Sequence, residues 1–257
     1  MLLAIDVGNT ETAIGLFDDS GKLKNHWRVS TRDDHTADEK MIEIENILAI
    51  DALSSSDITD VVLSSVVPTC TRSYSEMAKR LVGKEPLIAS PNNIGGLKIE
   101  YKYPEEIGAD RLVNSFAGLR LFKSPLIIVD FGTATTFDIV SNEGAYQGGI
   151  IAPGLEISAR ALFDSAAKLS KVELIAPDNM IGTDTVTSIQ SGLIYGTAAM
   201  VDGVVDKIVA ATNTTYNSVI ATGGVSKRVA SHCRTVSKIE PLLTLFGLQM
   251  IYEDNKG

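Results

Sequence analysis

The sequence predicts an α/β protein made of two duplicated lobes with a cleft between them. Three observations predict it. Apolar strand segments precede helix patterns in both halves. A strand–turn–strand motif near the N-terminus is echoed half a chain later. No Pro/Ser-rich linker separates the halves. At 257 residues, the chain is also near the size at which one core divides into two.

The echo sets the frame. Leu2-Leu3-Ala4-Ile5-Asp6-Val7-Gly8-Asn9-Thr10 is an apolar strand ending in Asp-x-Gly, and Leu126-Ile127-Ile128-Val129-Asp130-Phe131-Gly132-Thr133-Ala134 repeats it (130 − 6 = 124 positions later). Thr12 is matched with Thr136. A second strand follows each time, over 13–17 and 137–140, and then a polar turn ending in Gly21 or Gly144. The join falls near Lys123-Ser124-Pro125, giving lobes of 1–123 and 124–257.

Each remaining element has a local signal. Residues 22–30 read as a third strand. Thr36-Ala37-Asp38-Glu39 has capping-box spacing and opens the helical stripe Met41, Ile44, Ile47 and Leu48. Residues 61–65 form a short buried strand. Pro68 opens a helix that Gly83 ends as a C-cap. Residues 86–89 form a strand, and a helix follows over 112–122. In the second half a Gly-rich strand covers 145–151 and a helix 154–167. A long helix covers 185–211, with Gly192, Gly196 and Gly203 as points of interruption. Its apolar run over 189–209 suits either a core helix or an interface. A strand over 219–222 runs into Gly223-Gly224 and a helix start.

Composition excludes several function classes. The 23 Lys and Arg face 32 Asp and Glu, for a net charge of -9, and no basic block is present. Such a surface repels nucleic acid, so none is expected as a partner. No uncharged apolar stretch is long enough for a membrane span, and Asp6 breaks the first apolar run before it can serve as a signal peptide. Cys70 and Cys233 stand alone, which suits a reducing compartment. His26, His35 and His232 make no zinc pattern. The expected location is cytoplasmic.

The chemistry-bearing motifs point to a phosphate. A strand ending in Asp-x-Gly that turns straight back aims turn N–H groups at a ligand, while its Asp can hold a hydrated cation. Two such turns, one per lobe, read as a phosphate clamp. Gly223-Gly224 leaves a flat shelf on which a purine could lie. Gly108-Ala109-Asp110-Arg111 places a carboxylate and a guanidinium at a helix start with little bulk before them. Taken alone this is an N-cap with an Arg on the first turn. Beside a phosphate clamp it is a general base for a hydroxyl nucleophile with a bidentate anion holder. Gly182-Thr183-Asp184-Thr185, followed by Gln190-Ser191-Gly192, reads on pattern alone as a loop with a helix cap.

The set as a whole resembles the type III pantothenate kinase family, within the superfamily of acetate and sugar kinases, Hsp70 and actin. The resemblance rests on Asp6-Val7-Gly8-Asn9-Thr10, Gly108-Ala109-Asp110-Arg111, Asp130-Phe131-Gly132-Thr133-Ala134-Thr135 and Gly148-Gly149-Ile150-Ile151-Ala152-Pro153-Gly154. Thr185 with Gln190-Ser191-Gly192, Thr222-Gly223-Gly224 and the tail from Pro241 to Leu248 complete it. The match runs in order from residue 1 to about 253. Two positions depart from the family pattern: Glu11, where a small polar residue is usual, and Phe246, where a polar or basic one is common.

The resemblance implies duplicated ribonuclease H-like, actin-like ATPase domains. It implies transfer of a phosphoryl group from ATP to pantothenate. Asp6, Val7, Gly8, Asn9, Thr10, Glu11, Thr12, Ala13 and Thr133 are then ATP-binding, and Asp110 is catalytic. Tyr101, Gly108, Ala109, Asp110, Arg111 and Thr185 are substrate-binding, with Thr185 reaching the substrate from the partner of a homodimer. Asp130 is the ligand of a monovalent cation, K⁺ or NH₄⁺, and Mg²⁺ accompanies ATP. The alternatives are a non-catalytic regulatory protein of the same fold, another small-molecule kinase, or a filament-forming ATPase. Intact Asp6, Asp110 and Asp130 favour an enzyme.

Overall fold

The structure is a computed structural model describing residues 1–165 and 171–256. By packing, the chain falls into two units. The first holds Met1–Leu97, Lys102–Ala117 and Thr244–Gly257, and the second holds Lys98–Tyr101 and Gly118–Leu243. The expected lobes, 1–123 and 124–257, follow chain order. Packing instead gathers the C-terminal segment with the first unit and the short segment 98–101 with the second.

The first unit is built on a five-stranded sheet. Its strands are β1 (Leu2–Val7), β2 (Glu11–Phe17), β3 (Leu23–Ser30), β4 (Asp60–Ser65) and β5 (Leu87–Ile88), in the order β3-β2-β1-β4-β5. β2 is antiparallel to β1 and β3, while β4 and β5 run parallel to β1. Alternation along β1 and β2 turns Leu3, Ile5, Val7, Ile14 and Leu16 toward one core, shared with α1 (Ala37–Ile50) and α2 (Pro68–Val82). The capping box of α1 forms as expected: Glu39 N–H donates to the Thr36 hydroxyl at 3.3 Å, and Thr36 N–H donates to the Glu39 carboxylate at 2.7 Å. Gly83 ends α2 in the left-handed region, at φ 73°. The other sheet face carries α7 (Leu243–Asn255), which the sequence reading left as an unassigned tail. Leu245 of α7 lies over Gly15 of β2, which explains why that segment joins the first unit. Phe246 meets Phe17 edge-on at 6.3 Å, so its apolar character serves packing.

The second unit repeats the plan. It holds β6 (Lys98–Ile99), β7 (Leu126–Phe131), β8 (Ala134–Val140), β9 (Ala145–Pro153), β10 (Ser218–Thr222) and β11 (Lys238–Ile239), in the order β11-β10-β7-β8-β9-β6. Taken from the first strand outward, β9-β8-β7-β10-β11 matches β3-β2-β1-β4-β5 in both order and direction. β6 is an added edge strand. α3 (Ala109–Leu121) precedes β7. α4 (Leu155–Ser165), α5 (Thr185–Thr212) and α6 (Ser226–Val229) complete the element order. Ile127, Val129, Phe131, Phe137 and Ile139 pack against α4 and α5. The expected end of α4 at Ala167 lies outside the described residues. No described helix is long and apolar enough to cross a membrane.

Two details differ from the sequence reading. The second hairpin turn is one residue shorter. Val7 pairs with Thr12, while Phe131 pairs with Thr135, so Thr135 and not Thr136 is the partner of Thr12 in the duplication. Both are fully buried. Second, α5 runs unbroken through Gly192, Gly196 and Gly203. A methyl on any of the three would meet nothing within 4 Å. All three lie on one face of α5, and its buried face supplies the stability that the glycines withhold.

Phe137 is fully buried in the second core. Phe137→Ala is expected to lower unfolding free energy by about 3–5 kcal/mol. Urea denaturation checks this, and a loss below about 1 kcal/mol would contradict the packing described here.

Candidate functional site

β1 delivers Asp6 to the start of a tight turn. Gly8 N–H donates to the Glu11 carbonyl at 3.0 Å, closing a loop on which Asn9 and Thr10 stand exposed. Thr31, just beyond β3, fastens that loop. Its N–H donates to the Thr10 carbonyl at 2.9 Å, and its hydroxyl donates to the Gly8 carbonyl at 2.7 Å. Val7 and Thr12 are buried behind the turn. The Thr12 and Thr31 hydroxyls lie 2.9 Å apart. The Glu11 carboxylate accepts from the Arg28 guanidinium at 3.2 Å, so the acidic residue in this turn carries its own partial counter-charge. Ala13 continues β2, half-buried.

α3 begins at Ala109, and Asp110 sits inside its first turn rather than ahead of it as an N-cap. The Asp110 carboxylate accepts the Arg111 N–H at 2.8 Å. Burial pushes its pKa above the ordinary 3.8, while that N–H and the Arg111 charge pull the other way. A Cβ on Gly108 would fall 2.5 Å from Asp110 Oδ1. The carboxylate thus rests against bare backbone. Arg111 is buried. Val66 joins this helix start to the first turn: its N–H donates to the Val7 carbonyl at 3.1 Å, and its side chain lies 3.6 Å from where a Gly108 Cβ would be. Within the first unit the structure therefore brings Asp6–Ala13 and Gly108–Arg111 to the same ends of β1 and β4. A desolvated carboxylate beside exposed turn amides can act as a base next to an anion seat.

The second unit holds the other candidates. Asp130 ends on β7, and the turn Gly132-Thr133 closes with a Gly132 N–H bond to the Ala134 carbonyl at 3.1 Å. Gly223 follows β10 at φ 93°; a Cβ there would collide with Asp130 Oδ1 and fall 2.6 Å from the Phe131 carbonyl oxygen. The Asp130 carboxylate and the Phe131 carbonyl thus pack directly against the bare α-carbon of Gly223. Among the described residues no cluster of three His, Cys, Asp or Glu residues could hold a metal. Tyr101 is exposed, with its ring 6.0 Å from that of Tyr146 and its edge over Gly148. Thr185 is the first residue of α5, after the N-cap Asp184, whose carboxylate accepts the Thr187 N–H at 2.9 Å. It lines an open groove of 870 Å³ with Ser158, Leu162, Thr183, Ile189 and Leu193. Asp130 and Thr133 share one turn, while Tyr101 and Thr185 stand on other elements.

Sequence reasoning did not single out Thr31 or Val66. Each is placed by strand register, which brings Thr31 beside Thr10 and Val66 beside Val7. No local pattern numbers that pairing.

The sequence model of the type III pantothenate kinase family matches residues 2–207. The chain is similar to a type III pantothenate kinase of Desulfosudis oleivorans, at 44% identity over 252 residues and 98% of each chain. It is also similar to one of Geobacillus sp., at 43% identity over 255 residues, covering 99% of this chain and 98% of that protein. Among solved structures it is similar to the activator of the 2-hydroxyisocaproyl-CoA dehydratase from Clostridium difficile with bound ADPNP. The TM-score is 0.61 at 14% identity, covering 99% of this chain and 94% of that one. That likeness shows the fold, a duplicated actin-like ATPase fold.

The raised pKa of Asp110 carries a stability consequence with a definite sign. The folded state favours the protonated acid. The favourable contribution is present below the ordinary value of 3.8 and is lost as pH rises through the folded pKa. Asp110→Asn is therefore expected to resist urea at least as well as the native chain at pH 7. The difference should narrow as pH falls toward 3.8. A variant clearly less stable at pH 7 would mean that the carboxylate is a structural anchor.

Proposed function

The chain belongs to the type III pantothenate kinase family, and from that premise we propose how its residues move the terminal phosphate of ATP onto the pantothenate hydroxyl. The reaction yields ADP and 4′-phosphopantothenate, the first step of coenzyme A synthesis.

Asp110 takes the proton of the substrate hydroxyl as its oxygen bonds to the γ-phosphorus and the bond to the β-phosphate oxygen breaks. The observation that carries this assignment is the Asp110 carboxylate itself, partly desolvated and set against the bare α-carbon of Gly108. Gly108 and Ala109 leave room for the substrate, and Arg111 holds its anionic end. Tyr101, exposed on the second unit, is assigned to substrate binding by the family resemblance. The ATP phosphates rest on the stretch Asp6 to Ala13. Exposed Asn9 and Thr10 present N–H groups, Asp6 and Gly8 shape the turn, Glu11 is offset by Arg28, and Val7 and Thr12 support it from behind. Ala13 carries the strand onward, and Thr133 offers the second turn. Mg²⁺ bound with ATP neutralises phosphate charge. Asp130, with the Phe131 carbonyl beside it, offers hard oxygen donors that suit K⁺ or NH₄⁺. Few cationic side chains stand at these turns, so backbone N–H groups and ions supply the charge stabilisation.

The protein acts as a cytoplasmic homodimer in this reading. Thr185, Gly192, Gly196 and Gly203 share one face of α5 and leave it smooth and open, a form that lets a second copy approach closely and brings Thr185 to the partner's substrate.

A coupled assay of ADP release, with and without pantothenate, tests the proposal. Asp110→Asn is expected to lower kcat by about 100-fold or more in a folded protein. The acidic limb of the native kcat/KM profile should lie above the ordinary carboxylate value of 3.8. Near-native turnover by the variant would remove Asp110 from the chemistry. Exchanging K⁺ for Na⁺ should reduce turnover, and Gly223→Ala, which displaces Asp130, should abolish the difference between the ions. Indifference of the native enzyme to the exchange would leave Asp130 as a structural counterpart of Asp6.

A further inference from the structure

β3 and β9 are counterparts in the duplication, and each ends beside a turn of its own unit. The register makes the two ends comparable. Thr12 matches Thr135, and they pair with Val29 and Ala152. One position on, Glu11 pairs with Ser30 and Ala134 with Pro153. The next residue is Thr31 after β3 and Gly154 after β9, where the Gly148–Gly154 motif ends. Thr31 holds two carbonyls of the first turn, those of Gly8 and Thr10. Counted from the paired strands, Gly132 matches Gly8 and Thr133 matches Thr10. Gly154 faces these two equivalent carbonyls. A Cβ built on it would fall 2.3 Å from the Thr133 oxygen and 2.5 Å from the Gly132 oxygen.

One place is thus filled by opposite means. In the first turn a hydroxyl and an N–H of Thr31 reach the carbonyls. The second turn is one residue shorter, and its carbonyls leave no room for a side chain at position 154. No left-handed angle calls for glycine there; the close approach of backbone does. Gly154 is buried and itself fixed. Pro153 before it is held in register with Ala134, and the Gly154 carbonyl accepts the Ser158 N–H of α4 at 2.9 Å. In a trans peptide the N–H points away from the C=O. The Gly132 carbonyl shares its peptide with the Thr133 N–H, and the Thr133 carbonyl with the Ala134 N–H. Both carbonyls lie toward Gly154, so both N–H groups are aimed to the opposite side. Successive N–H groups turned one way make a concave seat for an anion.

We propose that Gly154 is a positioning residue for ATP. Its bare α-carbon lets the Gly132 and Thr133 carbonyls settle against it, and this sets the Thr133 and Ala134 N–H groups toward a phosphate. Gly154 acts through the turn and does not touch the ligand. The proposal rests on the reading of the Gly132-Thr133 turn as the second seat for the ATP phosphates.

Gly154→Ala tests it, with folding checked by circular dichroism. The added methyl must push both carbonyls away and rotate both peptides. The KM for ATP is expected to rise about tenfold or more, the scale of one N–H bond to a charged group, with the KM for pantothenate within about twofold of native. Gly144→Ala is the control, at the opposite end of the β8–β9 hairpin. Its Cβ would crowd Leu119 at 3.2 Å and its φ is 73°, so it strains the same sheet without reaching the turn. Its ATP KM should stay within about twofold of native. An unchanged ATP KM in folded Gly154→Ala, or an equal rise in both variants, would overturn the proposal. Amide exchange in the native protein reads the same geometry even if Gly154→Ala does not fold. A non-hydrolysable ATP analogue should slow exchange at both Thr133 and Ala134, and slowing at only one of them would overturn the paired orientation. If both are slowed and Gly154→Ala keeps the native ATP KM, only the positioning role is lost. If neither is slowed, the second turn itself does not hold ATP.

Discussion

Two carboxylates in this chain press against the α-carbons of glycines, Asp110 against Gly108 and Asp130 against Gly223. Any side chain at either glycine would push its carboxylate aside. At position 223 the backbone also holds a left-handed angle that other residues rarely adopt. The constraint is steric first and chemical second. A charged oxygen that is to meet a substrate or an ion must be partly out of water yet still within reach. Bare backbone provides both conditions in the least volume. In the first unit this contact lies at the start of α3, and in the second it joins the ends of β7 and β10.

The electrostatics follow from that arrangement. An acidic chain that handles a triphosphate has to create positive potential locally. In the proposed reaction the first turn does so with backbone N–H groups, and Arg28 partly offsets the charge of Glu11. Asp110 shows the opposite strategy. Burial lifts its proton affinity, and the amide and charge of Arg111 keep the shift in check. A carboxylate in that balance accepts a proton from an alcohol more readily than an exposed one, and this occurs at some cost to the stability of the folded chain. Elsewhere in the first unit the fully buried Lys40 lies near the partly exposed Glu43 and over the ring of Tyr74.

Much of this was legible in the sequence because it is written in local periodicity. The duplicated strands, the capping box at Thr36, the C-cap at Gly83 and the long α5 are each encoded within a few residues. The echo predicted two copies of one plan, and the matching sheet orders bear it out. It misjudged the second copy by one residue, because a shortened turn shifts every later pairing without altering the alternation. The C-terminal helix was missed because its near-continuous apolar composition lacks an amphipathic stripe and is explained only by burial against β2 and α3. The glycines of α5 suggested breaks because helix propensity counts against them, yet packing on the opposite face outweighs it. Two-residue edge strands carry no periodic signal at all. For the candidate site, residue types alone pointed to Asp6, Asp110 and Asp130. Thr31, which fastens the first turn, and Val66, which joins it to the start of α3, act through register and tertiary contact, which no short motif records.

The central claim is that Asp110 is the group facing the reacting alcohol. A structure with pantothenate and a non-hydrolysable ATP analogue tests it most directly. The account predicts the pantothenate hydroxyl oxygen within about 3 Å of an Asp110 carboxylate oxygen. A hydroxyl directed to another residue, with Asp110 sealed away behind protein, would contradict it.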